Sequence, residues 1–193
     1  MKLSIFLILH FFCQISCGQT DSSIYILKLG WTLHIPKGFK IVDPATAAFN
    51  RATGKVAIEK TLHKEINDSA LENLISVSKD RFNYMTSNLY NSDTINLQNW
   101  EEADQISKEV ILKSLKAQIP NIKLDTTNSV DIIAGIIFKK LQITSRVTDD
   151  TTIYFNQLGT FYKNRYWGIT YIYYNREAGL EIEKIFKTST LEK

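Results

Sequence analysis

Two cysteines, three histidines, three prolines and eight glycines are few among 193 residues, and each scarcity excludes something. Both cysteines, Cys13 and Cys17, lie near the N-terminus, within or at the end of a leader-like segment. With that leader removed, the mature chain keeps one cysteine or none, so it has neither an internal disulfide nor a thiol nucleophile. His10 goes with the same segment, leaving His34 and His63 as candidate bases, and no GxSxG elbow presents a serine to either. No HExxH pair or cysteine cluster builds a zinc site. The stretch "LGTFYKNR" has a single glycine, too few for a phosphate-cradling loop.

Charge of one sign is also missing. There are 23 Lys and Arg against 20 Asp and Glu, interleaved as in "SKDRF" and "LEIEKIFK". That balance provides no electrostatic footprint for nucleic acid. Long apolar runs are absent apart from "IFLILHFFC", about half of the ~20 residues a membrane-spanning helix needs.

What is present begins with that run. Lys2, the short apolar segment and the small polar residues of "QISCG" have the three parts of a secretory signal peptide, residues 1–18. Two processing routes fit. Cleavage after Gly18 releases a free chain beginning at Gln19, whereas cleavage before Cys17 follows a bacterial lipobox and makes Cys17 a lipid attachment point. Export to the periplasm, the outer membrane or the medium is expected, with membrane contact only through such an anchor.

Residues 19–193 are expected to form a single α+β domain, since no repeat, linker or low-complexity segment divides them. In "GWTLHIP", Trp31, Leu33 and Ile35 alternate with Thr32 and His34, the period of a half-buried strand, and Pro36-Lys37-Gly38 turns the chain. "TAAFNRATGKVAIEK" reads ambiguously, with a turn at Thr53-Gly54 and a short strand in "KVAIE". "ENLISVSKD" reads as a strand, and the Asn-rich "RFNYMTSNLYNSDTINLQ" as irregular or loosely helical. Asn99 and the acids behind it start a helix that Pro120 ends, with Trp100, Ala103, Ile106, Val110, Ile111 and Leu115 on its core-facing side. "KKLQITSRV" alternates as a strand. "TTIYFNQLGTFYKNRYWGITYIYYN" reads as a hairpin around Lys163-Asn164-Arg165, and Asn175 caps a last helix that buries Ala178, Ile182, Ile185 and Phe186. The fold class is therefore α+β, an antiparallel sheet flanked by helices.

The order of "LHIPKGF", the amphipathic helix, the aromatic hairpin and the terminal "TSTL" resembles the three-layer α/β/α sandwich of PsbP-like and DcrB-like proteins and the Mog family. The resemblance is one of layout and covers Ile24 to Leu191. It implies a non-enzymatic binding or assembly role, and carries over no functional residue. The leader is similar in style to those of Bacteroidetes envelope proteins.

The hairpin is the most distinctive feature. Trp167, Ile169, Tyr171 and Tyr173 share one face, and Tyr166, Thr170, Ile172 and Tyr174 the other. Left uncovered, one face would offer a tyrosine-rich platform for a protein partner or glycan; Tyr166, Trp167, Tyr171 and Tyr173 are the candidate binding residues. Helices covering both faces would leave no platform. No catalytic residue, metal ligand or cofactor is expected. Asp149 and Asp150 in "VTDDTT" fit a polar turn better than a cation site. "NDS" at Asn67 has the form of a glycosylation sequon, and "DSA" and "DTI" the form of short O-glycosylation triplets. The leading expectation is an exported binding or assembly module for a partner protein or ligand. The competing classes are a small hydrolase or metal-dependent enzyme using His34 or His63 with carboxylates, and a carbohydrate-binding module using the aromatic hairpin.

Overall fold

The computed structural model describes residues 21–91, 95–118, 123–147 and 151–192. Within them the alternating stretches become strands. β1 (Ser22–Ile26) and β2 (Trp31–Ile35) form an antiparallel hairpin, joined on the far side of β2 by the short β10 (Thr190–Leu191). A second, seven-stranded antiparallel sheet runs β3 (Lys40–Ile41), β4 (Leu71–Ser78), β5 (Tyr84–Tyr90), β9 (Arg165–Tyr173), β8 (Thr152–Tyr162), β7 (Ile136–Arg146), β6 (Lys123–Ile133). Three helices accompany them: α1 (Pro44–Leu62), α2 (Trp100–Gln118) and α3 (Arg176–Lys187). The chain is an α+β protein. Residues 1–20, with Cys13 and Cys17, lie outside the described residues, as do Asp93, Pro120, Asp149 and Asp150.

The hairpin tip is Lys163-Asn164, both with positive φ (49° and 60°), which suits the right-handed twist of the strands it joins. Ala134-Gly135 turns β6 into β7 in the same way, with φ of 48° and 84°. The period of two in β9 sends Trp167, Ile169, Tyr171 and Tyr173 into the main core, where they meet Trp31, Leu33 and Ile35 of β2 and Ile182, Ile185 and Phe186 of α3. Trp167 lies edge-on between Trp31 and Phe138, each ring centroid 4.9 Å away. Its indole N–H donates to Ser87 Oγ at 2.8 Å, and that of Trp31 to Ser189 Oγ at 2.7 Å. Asn175 caps α3 as expected, accepting from the Ala178 N–H at 2.7 Å, and the four apolar residues assigned to its inner face are buried.

Two stretches depart from the sequence reading. "KVAIE" is helical, because Asp43 caps α1 through the Thr46 N–H at 2.9 Å, Pro44 occupies the first turn, and the helix continues through Gly54. The Asn-rich stretch contains β5, a central strand paired with both β4 and β9; its alternation of Met85, Ser87 and Leu89 inward with Tyr84, Thr86 and Asn88 outward is a strand period. The inner face of α2 is also different. Ile106 is exposed, while Asp104, Lys108 and Ser114 are buried.

Candidate ligand-binding cleft

The face of the large sheet opposite the aromatic core is covered by α1 and α2 only in part. Between those helices and the sheet lies a cleft of about 1650 Å³. Its floor follows from strand register. Ser76 lies opposite Thr86, Thr86 opposite Thr170, and Thr170 opposite Gln157, giving a row of hydroxyl and amide groups across four strands. A β-bulge between Asn73 and Ile75 shifts the alternation of β4 by one, so that Asn73 joins this face while Ile75 and Val77 stay in the core. The Asn73 amide nitrogen donates to Thr86 Oγ1 (2.8 Å) and Asn88 Oδ1 (3.0 Å), with Ser76 Oγ a further acceptor within reach at 3.1 Å, and the Tyr84 hydroxyl donates to Ser76 Oγ at 3.1 Å. A wide polar face under a helix persists because its groups satisfy one another.

The walls combine apolar side chains with charged ones, among them Arg51, Lys55 and Asp68. Ile58 of α1, Val110 and Ile111 of α2, Ile66, and the sheet residues Phe155 and Ile172 line the cleft. Helix α1 forms a wall rather than a packed layer. Among its described side chains Ala47 is the buried one, and Phe49 and Val56 face solvent. It is fastened by polar ties: the Arg51 guanidinium donates to the Leu71 carbonyl at 3.1 Å, and Lys55 reaches Asp68 at 2.9 Å. The Lys55 ammonium holds the Asp68 carboxyl below its ordinary range, and Asp68 in return raises Lys55.

At the α2 end the cleft meets a buried ionic cluster. Asp104 and Lys108 pair at 2.6 Å with both side chains almost fully buried, and the Tyr166 hydroxyl donates to Asp104 Oδ1 at 2.8 Å. Burial, followed by the Asp104 carboxylate, pushes the Tyr166 phenol well above its ordinary value. The Gln157 side chain donates to Ser107 Oγ at 3.0 Å. Its carbonyl oxygen has no partner although the residue is only 6% exposed, and it lines the cleft. A buried acceptor left unpaired costs stability.

Of the four residues that the sequence put forward for binding, Trp167, Tyr171 and Tyr173 are core residues with no exposed platform, because α3 and the small sheet cover their face. The Tyr171 hydroxyl donates to Glu183 of α3 at 2.9 Å. Tyr166 alone lies on the cleft side. The candidate bases do not converge: His34 is exposed on β2, His63 ends α1 in a left-handed conformation (φ 50°), and neither lines the cleft. Among the described residues no group of three or more His, Cys, Asp and Glu is placed to hold a metal ion.

No family model and no curated protein matches this sequence. The floor residues Asn73, Ser76, Thr86, Thr170 and Gln157 carry no motif. The signal that could have found them is the alternation of small polar with apolar residues in "SVS" and "YMTSNLY", which marks a sheet face that is covered yet polar.

Proposed function

We propose that this chain is an exported, non-enzymatic binding module, a three-layer sandwich in the manner of PsbP-like and DcrB-like proteins, and that the cleft between α1, α2 and the sheet takes an extended segment of a partner protein. The observation that carries this reading is the cleft itself, with walls of apolar and charged side chains over a hydroxyl and amide floor. Its volume of about 1650 Å³ exceeds the ~300–1000 Å³ of ordinary small-molecule pockets. A 19-residue helix wall is about 28 Å long, room for roughly eight extended residues. Backbone N–H and C=O groups of such a segment find partners in the hydroxyl groups of the floor row, while its side chains meet the walls. Burial of Trp167, Tyr171 and Tyr173 takes away the stacking surface on which the glycan reading depended.

The test is selection from a random peptide library on the purified protein, followed by affinity measurement on Thr170→Trp, which fills the floor. Selected peptides are expected to be extended, with alternating apolar residues, and to lose at least about tenfold in affinity to the variant, or 1.4 kcal/mol. Peptides that bind the variant and the natural protein alike would overturn the proposal, as would binding of oligosaccharides alone on a glycan array.

A further inference from the structure

Strand β6 ends the large sheet and is 11 residues long, without a proline and without a break in its register to β7. The other outer strand of that sheet, β3, has two residues. Among the described residues nothing pairs with the outer edge of β6. Soluble proteins blunt such edges with short strands, bulges, prolines or charges, because a row of free N–H and C=O groups recruits another strand. Here residues 125–130 are exposed, and Val130 and Ile132 present 61% and 66% of their surface to solvent. Three charges lie along the strand: Lys123 and Asp125 are exposed, and Asp131, beside Lys140 at 3.4 Å and Lys187 at 3.8 Å, keeps 20% of its side chain open, so these charges restrict which partner strand and register fit rather than closing the edge.

We infer that β6 pairs antiparallel with β6 of a second copy, joining two large sheets into one. A two-fold axis perpendicular to the sheet keeps odd-numbered residues opposite odd-numbered ones, which leaves few registers to compare. Centred on Asn128, Asp125 would face Asp131 twice, a repulsive arrangement. Centred on Thr126, Ser129 or Val130, no charge meets an opposite charge. Centred on Thr127, Lys123 faces Asp131 of the other copy at both ends, Leu124 faces Val130, and Thr127 faces itself. Opposite charges and apolar pairs directly across a ladder both favour that register, and like charges disfavour the first. The strand is thus self-complementary in one alignment. The same two-fold leaves both clefts on one side of the joined sheet, so a dimer would present two binding sites in the same direction.

Sedimentation equilibrium of the purified protein over a concentration series, in reducing buffer, reads the association. Thr127→Lys sets two ammonium groups against each other at the axis, and Lys123→Asp turns both end attractions into repulsions. Both side chains are exposed, so the circular dichroism of each variant stays that of the natural chain. A reversible dimer is expected, with each variant weakening it at least about tenfold. A natural protein that stays monomeric at every concentration leaves the edge to a foreign strand and overturns the inference. So does a dimer that neither variant weakens, because it must then use another surface.

Discussion

An alanine at position 159 would place a methyl group 2.3 Å from the Tyr166 hydroxyl oxygen and 2.5 Å from Asp104 Oδ1, inside any real contact distance. The backbone there cannot retreat, since β8 is paired to β7 through Lys139 and to β9 through Gly168 at this residue. Tyr166 must therefore swing away and give up its 2.8 Å bond to Asp104. A hydrogen bond to a charged group contributes about 1.5–3 kcal/mol, and overpacking a tight interior costs about 1–3 kcal/mol more. Gly159→Ala is thus expected to lose about 3–5 kcal/mol of stability, a large share of the ~5–15 kcal/mol that native proteins have. Urea unfolding followed by tryptophan fluorescence measures it, as a midpoint lowered by about 1.5 M or more at unchanged slope. Tyr166→Phe supplies the internal check. It removes the hydroxyl that the new methyl strikes, so the alanine should cost less when combined with Tyr166→Phe, with a coupling of about 0.5–3 kcal/mol. A Gly159→Ala variant within about 0.5 kcal/mol of the natural protein, or strict additivity of the two changes, refutes the reasoning.

Two further outcomes follow from particular contacts. A Cβ on Gly54 meets nothing within 4 Å on the exposed part of α1, so Gly54→Ala should add about 0.5–1 kcal/mol and raise the melting temperature by ~1–4 °C in calorimetry. Burial by itself would raise the Glu183 carboxyl, but the Lys187 ammonium, the Tyr171 hydroxyl and the Lys140 ammonium outweigh it and hold the group below its ordinary value of 4.5. The stability it contributes is present above that ordinary value and is lost as pH falls through the depressed one. Urea midpoints from pH 6 to pH 3 should therefore fall less steeply for Glu183→Gln than for the natural chain, and parallel curves would show that the α3 ion network is not the acid-sensitive element.

The last helix and the two strands of the aromatic hairpin were legible because their periods are strong and their ends carry local signals: Asn175 caps, and Lys163-Asn164 turns. The helix over residues 44–62 and the strand at Tyr84–Tyr90 were not. The first has hardly any buried stripe to reveal its period, because it walls a cleft instead of packing on a core. The second is polar on its cleft side, and asparagines and serines there resemble a loop until neighbouring strands satisfy them. Burial of Asp104 and Lys108 in place of Ile106 was likewise out of reach, since an ion pair enters an interior only where a partner such as Tyr166 waits on another element.

Local pattern alone determined that this chain makes antiparallel strands and capped helices, and which side chains of the hairpin share a face. Only the tertiary structure decided which of those faces is core. Period two divides Trp167 and Tyr171 from Tyr166 and Thr170 without saying what lies above either set, and that depends on where α3 and the small sheet dock. The cleft, its polar floor and the outermost place of β6 among the described strands arise from strand order and register, which are set by contacts between residues far apart in the chain.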